Sequence, residues 1–390
     1  MAADFDPQAP EDFDSPQAVY RRLRAECPVA HSTAWGGFWA LMKHADVAAA
    51  ATDSETFISS KQNVVPKVAF TGRRPPLHLD PPEHTPYRRA LSPLLSPLRV
   101  ARYEPAIRQI CVDLLQGMAT RGGGDICEEF SARMPILVFA HWMNLPPDQA
   151  ATLAEVGRRY NIAVQSNDLE STRETSLLLY DMARALVAER KKNPRDPAED
   201  ATCALLAARV DGEPLPDEMI VGTIRQVLVV GIIAPTVVIG SIAVHLSRDP
   251  QLQSHLRANP QLAEAATEEF LRLYTPYRGF ARTVSRDVTL HGRRIPEGDP
   301  VALVYASANR DEAVFGDAES FRLDRPNMKD SVAFGRGPHM CIGAALARLE
   351  LRVALEELLR LTPGGFRVNG RVVPTRFPEI GALRVPLEFG

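Results

Sequence analysis

The stretch FGRGPHMCIGAALARLELR, residues 334–352, carries a single cysteine, Cys341, between a glycine-rich loop and a run with apolar residues three and four apart. A glycine-rich loop lets the backbone pass close to a flat ligand. The run reads as a helix from about Gly343, so its first amides point back toward the sulfur and favour a thiolate. A thiolate so held can ligate iron. His339, two residues earlier, is placed to meet an anion at the rim. A lone cysteine before a helix is most often a packed structural thiol. The spacing F-x-x-G-x-H-x-C-x-G, made by Phe334, Gly337, His339, Cys341 and Gly343, sets this one apart. The other cysteines, Cys27, Cys111, Cys127 and Cys203, are scattered without a C-x-x-C pair, which argues against zinc sites, four-cysteine clusters and a disulfide framework.

Two further pairs share a helix face. Glu269 and Arg272 are three apart in EEFLRL, and His84 and Arg88 are four apart in DPPEHTPYRR. Taken alone, the first is an exposed ion pair worth about 0.2–0.5 kcal/mol and the second a helix start with surface basics.

Together with the cysteine loop and SANRDEAVFGDAESFRLDRP, these stretches resemble, in the right order, the cytochrome P450 family of haem-thiolate monooxygenases. The resemblance covers about residues 15–390. It implies one haem domain over residues 1–390 with no fused reductase, and a mainly α fold with minor β pieces and a long central helix over the haem. It implies haem b ligated by Cys341 within the loop of Phe334 and Gly343. His84, Arg88, Arg282 and His339 would hold the propionates through charge-assisted hydrogen bonds. Glu269, Arg272 and Arg325 would form a buried structural triad. The implied activity is insertion of one oxygen atom from O2 into a small hydrophobic or aromatic substrate. Electrons would come from a separate ferredoxin or flavin/iron–sulfur reductase. By family position, Val230, Ile233, Ala234, Gly279, Phe280 and loop 62–72 would line the pocket. The wording GIIAPT, LYTPYRGFAR and AFGRGPH looks most like the self-sufficient, reductase-fused branch. A peroxide-driven peroxygenase and a non-catalytic haem carrier are the alternatives.

The elements that must position these groups include VLVVGIIAPTVVIGSIAV, residues 227–244, uncharged and interrupted by Pro235. Its length would allow a membrane span, but its glycines and proline make it a poor anchor, and a helix apolar all round is a buried one. The family's central helix carries roughly A/G-G-x-D/E-T-T. Ungapped alignment puts Gly231 on the glycine, Ile233 on the acid, Ala234 on the alcohol and Pro235 next. The acid–alcohol pair associated with proton delivery is thus missing. Thr236 is the nearest hydroxyl, about 200° further round a straight helix. Pro235 has no N–H, so the Gly231 carbonyl loses its helical donor and a kink is expected there.

Elsewhere helical periodicity dominates, with short strand signals at VTLHG, PVALVYA, FRVNGRVV and ALRVPLEF, and HGRRIPEGDPVAL reads as a hairpin. Segment 161–174 reads as a loop between helices, and 60–76 as an irregular binding loop. Net charge is −3 and the basic clusters are short: RRLR at 21–24, RRPP at 73–76 and RKK at 190–192. They read as solvated surface, which gives no footing for nucleic acid. The acidic, proline-rich N-terminus lacks the basic start and apolar run of a signal peptide, so a cytoplasmic chain without a membrane anchor is expected.

Overall fold

A computed structural model describes residues 3–9, 11–67 and 71–390. Helices make most of it. The ones that build the site are α1 (Glu104–Arg121), α2 (Pro147–Ser166), α3 (Leu169–Lys192), α4 (Asp217–Val230), α5 (Ile233–Arg248), α6 (Ala263–Leu273) and α7 (Ala344–Leu361). Helix α1 starts with Pro105 in its first turn, where no amide donor is needed, and stops at left-handed Gly122. Its residues Ile107, Cys111, Leu115 and Met118 lie on one face and pack along α7 in the main core.

The expected loop at 161–174 shrinks to two residues. Asn167 takes a left-handed conformation that ends α2, and the Asp168 carboxylate caps α3 by accepting from the Ser171 amide at 3.0 Å.

A five-stranded sheet flanks the helices. It runs β1 (Val29–Ser32), β2 (Phe38–Leu41), β5 (Pro300–Leu303), β4 (Ala281–Val284), β3 (Phe57–Ile58), and β5 is parallel only to β2. The hairpin expected over 291–303 falls earlier. His291 and Gly292 both have positive φ, so 288–290 pairs with 293–295 across them. A turn at 296–299 then sends β5 into the main sheet beside β4, which places Arg282 opposite Val301.

The apolar stretch is a core element. Asp217–Arg248 is long and apolar enough to cross a membrane by length and composition, yet 76% of its most apolar window is buried inside the fold. The helix breaks at Gly231–Ile232, so α4 and α5 are separate, and Pro235 is the third residue of α5, where its missing N–H costs nothing. The basic clusters also depart from the solvated reading. Arg24, Arg74 and Arg190, one from each, are 3%, 7% and 2% exposed.

Candidate active site

Left-handed conformations at Gly335 and Gly337 fold the cysteine loop; a Cβ on Gly337 would lie 2.5 Å from the Ala51 carbonyl oxygen. The Cys341 amide donates to the Phe334 carbonyl at 2.8 Å. Gly343 caps α7, and its amide donates toward the sulfur. Protein surrounds Cys341, yet its side chain is accessible, unlike the buried Cys111, Cys127 and Cys203. The thiol is thus accessible although it lies among protein atoms. Burial raises its pKa, while the Gly343 amide and the charges of Arg88 and Arg348 act in the opposite direction. Phe334 flanks the loop, with the Arg348 guanidinium 4.5 Å from its ring centre.

The basic residues read from the sequence converge on the rim. The His84 and His339 rings lie 5.1 Å apart. Burial, then Arg282 and His84, push the His339 pKa down to about 3. His339 Nε2 is buried without a hydrogen-bond partner and lies 3.9 Å from Asp80. Arg282 is buried and, among the described residues, bonds the Ala281 carbonyl alone, while His84 Nε2 contacts the Pro338 carbonyl at 3.1 Å and so braces the loop. Among the described residues no carboxylate pairs with Arg88 or Arg282. This uncompensated positive charge, with an orphaned buried donor, would suit the two carboxylates of a haem, with the accessible thiol of Cys341 as its ligand.

Behind the loop, Glu269 accepts two bonds from Arg272, at 2.7 and 2.8 Å, and two from Arg325, at 2.9 and 3.1 Å. Both arginines also reach main-chain carbonyls: Arg272 those of Asn309 and Ala318, Arg325 that of Gly316. The group is buried, not the exposed pair that i,i+3 spacing alone allows, and it ties α6 to the chain leading into the cysteine loop.

On the opposite side the residues split. Ile233 and Phe280 line a cavity of about 760 Å³, with Tyr160, Gln165, Tyr277 and Glu379. Ala234 and Gly279 are not in its wall. Gly279 is pressed against the Val65 carbonyl, 2.7 Å from where its Cβ would be, and against Pro378. Gly231 faces the Phe139 ring, which a Cβ would overlap, so its small size serves close packing. Loop 62–72 contributes Asn63, Val64, Pro66 and Lys67; residues 68–70 and the Val230 side chain lie outside the described residues. The Thr236 hydroxyl is 2.8 Å from both the Ser131 and Ile232 carbonyls, so its proton is held between helices.

The motifs gave no sign of the polar wall. Glu379 is buried, accepts from Gln165 at 2.6 Å, and is pushed by burial to a pKa of about 7. Burial, then Glu379 and Cys341, raise the Tyr277 phenol, which places this wall within the electrostatic reach of the thiol.

A family model described as Cytochrome P450 matches residues 162–362. Cytochrome P450 130 of Mycobacterium tuberculosis is 33% identical over 386 residues, spanning 96% of this chain and 94% of its own length. Linalool 8-monooxygenase of Pseudomonas putida is 32% identical over 368 residues, spanning 88% of each. A solved cytochrome P450 from Chondromyces apiculatus superposes with a TM-score of 0.87 at 29% identity, over 100% of this chain and 99% of the other. Sequence motifs, fold and relatives agree: the chain belongs to the cytochrome P450 family and is a haem b-dependent monooxygenase.

Proposed function

We propose that this enzyme, acting as a single cytoplasmic domain over residues 1–390, inserts one oxygen atom from O2 into a small organic substrate held in the 760 Å³ cavity, with Cys341 as the iron ligand. The observation that carries the assignment is the accessible thiol beneath a rim of unpaired basic groups. The haem, when bound, supplies dioxygen activation. The chain does the rest. Gly343 holds the thiolate, and His339, Arg88 and Arg282 anchor the propionates while His84 fixes the loop. Ile233 and Phe280 press the substrate from the wall. A relative named as a linalool 8-monooxygenase is in keeping with a small organic substrate.

Proton supply departs from the family pattern. Ile233 and Ala234 carry no proton, and the Thr236 hydroxyl is committed to main-chain carbonyls. The central helix is interrupted at Gly231–Ile232, and Pro235 stands in the first turn of α5 just beyond the break. Water entering at this interruption then delivers the protons.

Reconstitution with a separate ferredoxin or flavin/iron–sulfur reductase is expected to give product at the expense of reductant. The missing acid–alcohol pair favours one second reading, a peroxygenase. Product formed with peroxide and none with reductant and O2 would establish that reading instead.

A further inference from the structure

Nine arginines are buried among the described residues. Six have a carboxylate partner. Arg24 pairs with Glu312, Arg190 with Asp200, Arg272 and Arg325 with Glu269, Arg278 with Glu11 and Arg310 with Glu319. Arg282, at the propionate rim, has none. The remaining two, Arg74 and Arg225, also have none, and they lie together.

The fold forces this pair close. Gly222 on α4 lets the Arg73 carbonyl press onto the helix where any Cβ would collide. That contact seats Arg74 beside Arg225, three residues further along α4. Arg225 is fully buried and Arg74 is 7% exposed, and the Nε of each is buried without a hydrogen-bond partner. Their surroundings are aromatic and hold no carboxylate among the described residues, and both guanidiniums hydrogen-bond the Tyr160 phenol. The Arg225 guanidinium lies 5.1 Å from the Tyr160 ring centre and 5.8 Å from that of Tyr180, and it donates to Ser176 Oγ at 2.7 Å. Burial, then Arg74 and Arg225, hold His78 neutral, with a pKa of about 3. Burial works to raise the Tyr160 pKa, but the two guanidiniums outweigh it and lower it. Two like charges taken out of water with no counterion are costly unless an anion completes them.

The pair stands directly behind the cavity wall. Tyr160, Thr172 and Gln226 line the cavity. Tyr160 stacks on Arg225, Thr172 lies one helical turn before Ser176, and Gln226 accepts from Arg225 at 3.5 Å. From the absence of any carboxylate partner, the orphaned donors and this position, we infer that Arg74 and Arg225 bind the carboxylate of the substrate, so that the enzyme acts on apolar carboxylic acids. This rests on the monooxygenase reading above and narrows it. A guanidinium pair matches a carboxylate through two-pronged, charge-assisted hydrogen bonds. The apolar part of the acid then extends toward Ile233 and Phe280.

The test uses the haem-loaded enzyme, with dodecanoic and para-butylbenzoic acids, their methyl esters, and inorganic phosphate as a free anion. Calorimetry reads binding, and the Soret shift reads displacement of water from the iron. At least one acid is expected to bind at least about tenfold more tightly than its ester and to shift the Soret band. Arg74→Met and Arg225→Met should each cost that acid about tenfold or more and leave the ester within about threefold. Arg74→Lys should recover part of the loss. Should Arg225→Met fail to load haem, the Arg74 variants decide alone. Equal affinity of acids and esters, or equal losses for both in the variants, would overturn the inference. So would phosphate binding that needs the two arginines while no acid moves the Soret band, which would make this a structural anion site. The reduced carbon monoxide spectrum of each variant separates these results from a failure of the monooxygenase reading, since that failure would show there whichever ligand binds.

Discussion

Behind the cysteine loop, two buried arginines converge on Glu269 at 2.7–3.1 Å. Across the molecule, Arg74 and Arg225 are as deeply buried and meet no carboxylate. The first arrangement is closed: both guanidiniums share the Glu269 carboxylate and spend their other donors on main-chain carbonyls, and the result is a rigid support for Cys341. The second is open, and its electrostatics are complete only with something added. The same contrast runs through the main chain. The cysteine loop is pinned by glycine turns and a helix cap, whereas the central helix opposite is interrupted at Gly231–Ile232. A side built closed suits a ligand that never changes, and a side left open suits a substrate that comes and goes.

Breaking the closed side should give the largest effect on stability. Arg272→Ala leaves Glu269 buried with only Arg325 and the Arg322 amide as partners and should cost about 3–5 kcal/mol in denaturant unfolding. A cost below about 1 kcal/mol would remove the triad as the loop's support.

The open side should show the opposite sign. The Glu379 pKa is about 7 in the folded protein against an ordinary 4.5, so folded protein holds this proton more tightly. Its contribution to stability is complete below about pH 4.5 and is lost as pH rises through about 7. Glu379→Gln should therefore be more stable than the parent above pH 7, by about 2–3 kcal/mol, with the gain vanishing toward pH 4.5. Thermal melts across this range check it; a gain independent of pH would contradict it.

At the boundary between the two sides, Arg88→Ala with Arg282→Ala should speed haem loss to an apo-globin acceptor by about tenfold or more. Unchanged loss would take these arginines out of propionate binding. The smallest effect is expected at Thr236. Thr236→Val removes a hydroxyl held by two carbonyls and should cost about 1–2 kcal/mol of stability. Product formed per reductant consumed should barely move, and a large fall in that ratio would put Thr236 in the proton path.

On the closed side the cysteine loop stands out by its spacing, whereas the Glu269–Arg272 pair alone reads as an exposed ion pair, and its burial with Arg325 was expected only from the family resemblance. Cys341, His339 and Gly343 sit within five residues, and Glu269 and Arg272 within one helical turn. A break in the central helix was expected from Pro235; it falls three residues earlier, at Gly231–Ile232, with Pro235 in the first turn of α5. The open side was not legible, because its groups come from segments far apart in the chain. Arg74, in a plain RRPP run, reads as surface, and only the fold brings it to Arg225 and Tyr160. Glu379 carries no spacing signal, since its partner Gln165 lies 214 residues away. Strand pairing misled at 291–303 for a related reason: the left-handed His291–Gly292 pair decides the hairpin locally, whereas the partners of β5 are set by the whole sheet.

The most direct measurement is the reduced carbon monoxide spectrum of Cys341→Ser beside the parent and Cys203→Ser. The account predicts a band near about 450 nm in the parent and in Cys203→Ser, and its loss in Cys341→Ser, because the band would depend on thiolate ligation of the iron. An unchanged band in Cys341→Ser would contradict the assignment of the iron ligand, and with it the account of both sides of the site.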